Sequence, residues 1–237
     1  MIRYGLALLT VLGALAGCTV LPAPPDATPP VEMRPEVEAF SRTQAARNFV
    51  DVVRTVEPVA ERECRARTTG ISCDFNIAVD DRPGQPANAF QTVDRQNRPV
   101  IFFTLALIED VRNLDELAFV MGHEAAHHIA GHIGRQQQNA VAGAVIFAGL
   151  ATLRGGDAEA IRSAERLGAE VGARTYSKEF ELEADALGTI ITHRAGYDPV
   201  RGAEFFTRIP DPGDKFLGTH PPNAARIDIV RETMAGL

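Results

Sequence analysis

The 237-residue chain is long enough for one sizeable domain or two small ones, and 45% hydrophobic residues suffice for a real core, although tryptophan is absent and aromatics reach only 6%. A net charge of −7, with the basic residues scattered, argues against nucleic acid or an anionic lipid surface as an electrostatic partner.

The first eighteen residues read as an export signal. Arg3 supplies a short basic start and residues 6–15 a short apolar run. Leu15-Ala16-Gly17-Cys18 then ends in small residues before a cysteine. The run is short for a bilayer span of about 20 residues. The arrangement resembles a bacterial lipoprotein signal, which implies that residues 1–17 are removed and that Cys18 is acylated as a membrane anchor. Thr19 stands where an inner-membrane retention signal has Asp, which points to the outer membrane and a periplasm-facing domain. Residues 18–36 carry Pro22, Pro24, Pro25, Pro29, Pro30 and Pro35 without apolar periodicity, the composition of an extended tether. Two cysteines remain, Cys64 and Cys73. In an oxidising compartment a disulfide between them is expected, and without C-x-x-C spacing a zinc or redox role is not.

Residues 37–237 form the expected folded domain. Ser41 and Gln44 suggest a capping box for a first helix, with Phe49, Val53 and Val56 at helical spacing and Pro58 ending or kinking it. Phe75, Ile77 and Val79 alternate as in a half-buried strand. Residues 88–94 and 98–104 read as two strands around a turn at Arg95-Gln96-Asn97. Strands followed mostly by helices predict a mostly helical α+β fold with a small antiparallel sheet.

Residues 114–135 read as one helix, started by an Asn113/Glu116 capping box. It contains His123-Glu124-Ala125-Ala126-His127, an H-E-x-x-H motif. At about 100° per residue the two histidines leave the same face about 40° apart, the bite that a tetrahedral Zn²⁺ needs. Glu124 sits beside them, placed to take a proton from an activated water. His128 and His132 are also four apart, but they leave nearly the opposite side and are expected to be hydrogen-bonded or solvent-facing. The longer H-E-x-x-H-x-x-G-x-x-H pattern fails at Ala130 and Ile133, so a third ligand has to come from elsewhere.

Residues 140–153 are rich in Ala and Gly, with Val145, Ile146, Phe147 and Leu150. They are too few to span a bilayer comfortably and lack the basic flank of an interfacial helix, so a buried helix or a lid near the site is expected. Asp157 caps a further helix to about residue 173. Another runs over 177–193, with His193 interacting with its C-terminal dipole. A short helix follows Asp198-Pro199, residues 210–218 form a loop, and a last helix follows His220-Pro221-Pro222. On the 177–193 helix, Phe180, Ala184, Leu187 and Ile191 form a core stripe. Glu181 and Asp185 flank one side of it, Glu179 and Glu183 the other, and the pattern alone does not choose between the pairs.

Four separated segments resemble the M48 family of zinc metallopeptidases, which includes periplasmic lipoprotein proteases and membrane-embedded enzymes. They are the H-E-x-x-H motif, Glu181-Leu182-Glu183-Ala184-Asp185, the Asn88-Ala89-Phe90 and 102–108 lead-in, and Thr219-His220-Pro221-Pro222 with Arg226. Lys178 departs from the family's usual arginine. The resemblance covers roughly residues 40–237. It implies one Zn²⁺ per chain held by His123, His127 and Glu181, with Asp185 orienting a ligand histidine and Glu124 as general base. His220 and Arg226 are the candidates for stabilising the oxyanion. For His220 the alternatives are a simple cap before Pro221 or, as in relatives, a histidine that approaches the zinc and holds the enzyme inactive. The implied job is proteolysis of unfolded or misassembled cell-envelope proteins, bound as an extended strand along the 88–104 hairpin. The rival readings are a chaperone or assembly factor with latent proteolysis, and a structural tether without metal.

Overall fold

The structure, a computed structural model, describes residues 40–215 and 217–237. The export signal, Cys18 and the tether lie outside the described residues. Helix α1 (Arg42–Arg67) opens at Ser41, whose hydroxyl accepts from the Gln44 amide at 3.3 Å. The Gln44 side chain does not complete the box; it donates to Asn48 instead. Pro58 does not end the helix. It faces solvent, where water can satisfy the carbonyl that lost its donor, while Val52, Val56, Val59 and Ala60 bury the opposite face in the core. Near its end Cys64 is joined to Cys73 in the expected disulfide.

Three strands follow: β1 (Asn76–Asp80), β2 (Ala89–Val93) and β3 (Pro99–Thr104). The β2–β3 hairpin is antiparallel as predicted, and the Asp94 carboxylate organises its turn by accepting from the Gln96 and Arg98 amides. β1 pairs parallel with β3, so the sheet, ordered β1-β3-β2, is mixed rather than antiparallel. The alternation read for β1 also fails in part. Phe75 is buried, but Val79 on this edge strand is 43% exposed although its register partner Phe103 is in the core.

Thr104 ends β3 and caps α2 (Leu105–Asp110). Asn113 then caps α3 (Leu114–Ile129), accepting from the Glu116 amide at 2.9 Å. The Glu116 carboxylate is buried, accepts from the Arg112 amide and is forked by Arg208. The predicted helix over 114–135 is broken. Gly131 at φ 67° turns the chain, and a new helix α4 starts at His132 and runs to Leu153.

α4 packs antiparallel along α5 (Ala158–Thr175). This overturns the expected burial of residues 140–153. Of α4 only His132 is buried, whereas Val141, Val145, Ile146, Leu150 and Leu153 are all more than half exposed. The cause is that α5 covers a single stripe of α4. No helix among the described residues is long and apolar enough to cross a membrane.

α6 (Ser177–Arg194) crosses back onto α3, and α8 (Asn223–Ala235) packs on α6 after the short α7 (Pro199–Gly202) and a 3₁₀ turn at Ala203–Thr207. The core joins α1, β3 and α3 through Val52, Val56, Phe103, Leu117, Phe119 and Met121. Leu117 and Met121 leave α3 on the side away from His123, so the core backs the helix that carries the histidines.

Candidate metal centre

His123 and His127 leave α3 one turn apart, and their Nε2 atoms converge to 3.0 Å. α6 delivers Glu181 to the same spot. Its Oε1 lies 3.4 Å from His127 Nε2 and its Oε2 3.6 Å from His123 Nε2. A tetrahedral ion about 2.0–2.1 Å from each donor would hold them about 3.3 Å apart. Two imidazoles and one carboxylate at these separations therefore fit a zinc-sized ion, and these three residues are a group that could hold a metal. α6 also resolves the question its sequence left open. Glu181 and Asp185 face α3 with their side chains 13% and 0% exposed, whereas Glu183 is half exposed and Glu179 is at the surface.

Asp185 lies behind His123, with Oδ1 2.9 Å from Nδ1. A two-pronged contact from Arg226, at 2.7 Å to each oxygen, holds it there. Arg226 is itself buried, its guanidinium 4.0 Å over the Phe206 ring and 3.5 Å from Glu181 Oε2. Burial alone would raise the Asp185 carboxyl, but the Arg226 fork and the nearby His123 hold it below its usual value. Burial likewise works against ionised Glu181. It is outweighed by hydrogen bonds from His127 and His220 and by the charges of His123 and Arg226, so this carboxylate stays ionised far below the usual range. For His127, burial would depress the pKa, but the hydrogen bond to Glu181 and the charge of Glu124 raise it.

Glu124 is nearly buried and lines the same cleft, which has a volume of about 660 Å³. One wall of the cleft is Asn88 with the start of the edge strand β2, Ala89 to Gln91; another is apolar, with Phe119, Phe206 and Ile209. The structure thus brings together His123, Glu124, His127, Glu181, Asp185, His220 and Arg226. His220 is the exposed member, its side chain 55% accessible and its Nδ1 3.2 Å from Glu181 Oε2. Lys178 lies outside the cluster, binding Asp214 and the Lys215 carbonyl and so tying those two residues to α6. His193 sits exposed in the last turn of α6.

The family model for peptidase family M48 matches residues 46–234. The chain belongs to peptidase family M48. Membership puts it in the metalloendopeptidase class. A protein of Vibrio cholerae serotype O1 named as a beta-barrel assembly-enhancing protease is 32% identical over 133 residues, covering 49% of this chain and 27% of that relative. The chain thus spans about a quarter of the length of that relative.

Sequence reasoning misses His132. Helical periodicity pairs it with His128 on the far side of an unbroken helix, but the turn at Gly131 carries it round to His127. The signal is present in Gly131 itself, a residue that commonly ends helices. His128 does point away, its Nε2–H donating to the Ser72 carbonyl at 2.7 Å and its ring meeting Phe75 edge-on. Burial pushes its pKa down. Burial and the His127 charge push His132 down to about 4, so that ring is neutral.

Proposed function

We propose that the protein is a zinc-dependent endopeptidase that cleaves unfolded or misassembled cell-envelope proteins while held by a lipid on Cys18, with its domain facing the periplasm at the outer membrane. The observation that carries the reading is the convergence of His123, His127 and Glu181 on one point beside Glu124. The envelope assignment is supported by the name of the Vibrio cholerae relative and by the lipoprotein-like residues 1–18.

His123, His127 and Glu181 would hold one Zn²⁺, which when bound supplies the Lewis acidity that activates water and polarises a peptide carbonyl. Glu124 takes the proton from the attacking water and returns it to the departing amine. Asp185 fixes the His123 ring through Nδ1, and Arg226 fixes Asp185. With Arg226 committed to that carboxylate, His220 on the open side of the cleft is the donor for the developing oxyanion. β2 is an edge strand that also lines the cleft, so an extended peptide can pair with its backbone and be held with little dependence on sequence.

Metal analysis tests the centre. Purified protein is expected to carry about one zinc per chain, and Glu181→Gln to lose most of it; full zinc retention in that variant contradicts the assignment. A second reading, an assembly factor with latent proteolysis, is favoured by the words "assembly-enhancing" in the relative's name. Glu124→Gln separates the two, because an assembly factor keeps its cellular role in that variant and a peptidase loses it.

A further inference from the structure

His127 is backed differently from His123. Its Nδ1 lies 2.8 Å from Nδ1 of His132, and Nε2 of His132 lies 3.3 Å from Glu183 Oε2. Glu183 is in turn held by Arg135 at 2.7 Å. The His132 ring is buried and stacks on Phe180, with centroids 4.6 Å apart and planes 12° from parallel. On an unbroken helix, residues 127 and 132 would sit about 140° apart and could not meet. The left-handed turn at Gly131 makes the contact.

Two facing imidazole nitrogens form a hydrogen bond only if one of them carries the proton. If His132 carries it, the Nε2 of neutral His132 is a bare lone pair aimed at a carboxylate oxygen, acceptor against acceptor. If His127 carries it, His132 Nδ1 accepts, His132 Nε2–H donates to Glu183, and His127 Nε2 is left with its lone pair pointing at Glu181 and His123. Without a cation that lone pair would face the Glu181 carboxylate at 3.4 Å and the two arrangements balance; with a cation held between His123, His127 and Glu181 the lone pair has its partner, and Glu183 breaks the tie.

We propose that His132 is a positioning residue that, anchored by Glu183, keeps the proton on His127 Nδ1 and so presents the Nε2 lone pair of His127 to the metal. α6 then supplies three carboxylates with three tasks. Glu181 faces the ion, Asp185 backs His123 directly, and Glu183 backs His127 through an interposed ring. The proposal rests on the zinc reading above.

The test uses the full chain with ¹⁵N-labelled histidine, metal-free and zinc-loaded, at alkaline pH, together with zinc affinity by competition with a chromophoric chelator. The expected result in the zinc-loaded protein is a scalar coupling across the hydrogen bond between the two Nδ1 atoms, with the proton covalently on His127. His132→Phe keeps the stack on Phe180 but removes the acceptor, and is expected to weaken zinc binding roughly 10–100-fold. His132→Gln, which offers both an acceptor and a donor, is expected to recover most of that loss. A proton residing on His132 in the zinc-loaded protein, wild-type zinc affinity in His132→Phe, or equal loss in His132→Gln overturns the proposal. Should His132→Phe fail to fold, the wild-type coupling and His132→Gln decide the question. A wild type that takes up no zinc sinks the zinc reading and this proposal together, whereas the outcomes above overturn the proposal alone.

Discussion

Gly122 of α3 lies against Gly188 of α6 so closely that a methyl group on either would meet the other helix's backbone at 2.9 Å. This contact sits one residue before His123 and two turns after Glu181, so it sets how near the carboxylate comes to the rings. Gly188→Ala is expected to push the helices apart, costing about 1–3 kcal/mol and weakening zinc binding. Gly149, in α4 with nothing near its absent side chain, is the control; Gly149→Ala is expected to be neutral or to stabilise by up to about 1 kcal/mol. Denaturant unfolding and zinc titration of both variants check the contrast.

Among the described residues, Asp185 is the main carboxylate partner of the buried Arg226 fork, with Glu181 farther off at 3.5 Å. Removing it leaves a buried cation short of its main counter-charge. Asp185→Ala is expected to destabilise the metal-free protein by about 3–5 kcal/mol, measured by urea unfolding. A loss below about 1 kcal/mol contradicts the pairing as described.

The metal-free protein is expected to lose stability in acid. His128 and His132 have folded pKa values below the ordinary 6.5, His132 at about 4. Between those values the unfolded chain binds more protons than the native one. Their contribution is thus full above pH 6.5 and is lost as the pH falls toward 4. Glu181 and Asp185, also lowered, extend the loss below their ordinary values of 4.5 and 3.8. His127 is raised, so its contribution is complete below 6.5 and fades only as the pH rises through its folded value. Urea midpoints that stay flat from pH 6.5 to 4 contradict this.

The Cys64–Cys73 bridge closes a short loop whose Ser72 carbonyl holds His128 at the end of α3. Replacing both cysteines with serine is expected to cost about 2–3 kcal/mol, by loop-closure entropy. The thermal midpoint should fall while zinc stoichiometry is kept.

The parts of this fold that are legible in the sequence are those fixed by local chemistry. The Asn113 cap, the 94–97 turn and the one-face spacing of His123 and His127 depend on residues a few positions apart. Glu181 needs the family resemblance, since four helix carboxylates look alike until α3 is laid against them. Three features escape because tertiary contacts outweigh local preference. α1 runs through Pro58 because its buried face outweighs one lost hydrogen bond on the solvent side. α4 stays exposed because α5 covers only one of its stripes. His132 joins the site because one left-handed glycine redirects the chain, which helical periodicity carried through residue 135 does not foresee.

The most direct measurement is cleavage of an unfolded protein by the wild type and by Glu124→Gln, each assayed for bound zinc, with and without chelator. The wild type should cleave, stop with chelator and recover with added zinc. Glu124→Gln should hold about one zinc per chain yet cleave at least about 10²-fold more slowly. Cleavage by Glu124→Gln at the wild-type rate, or by zinc-free wild type, would contradict the account.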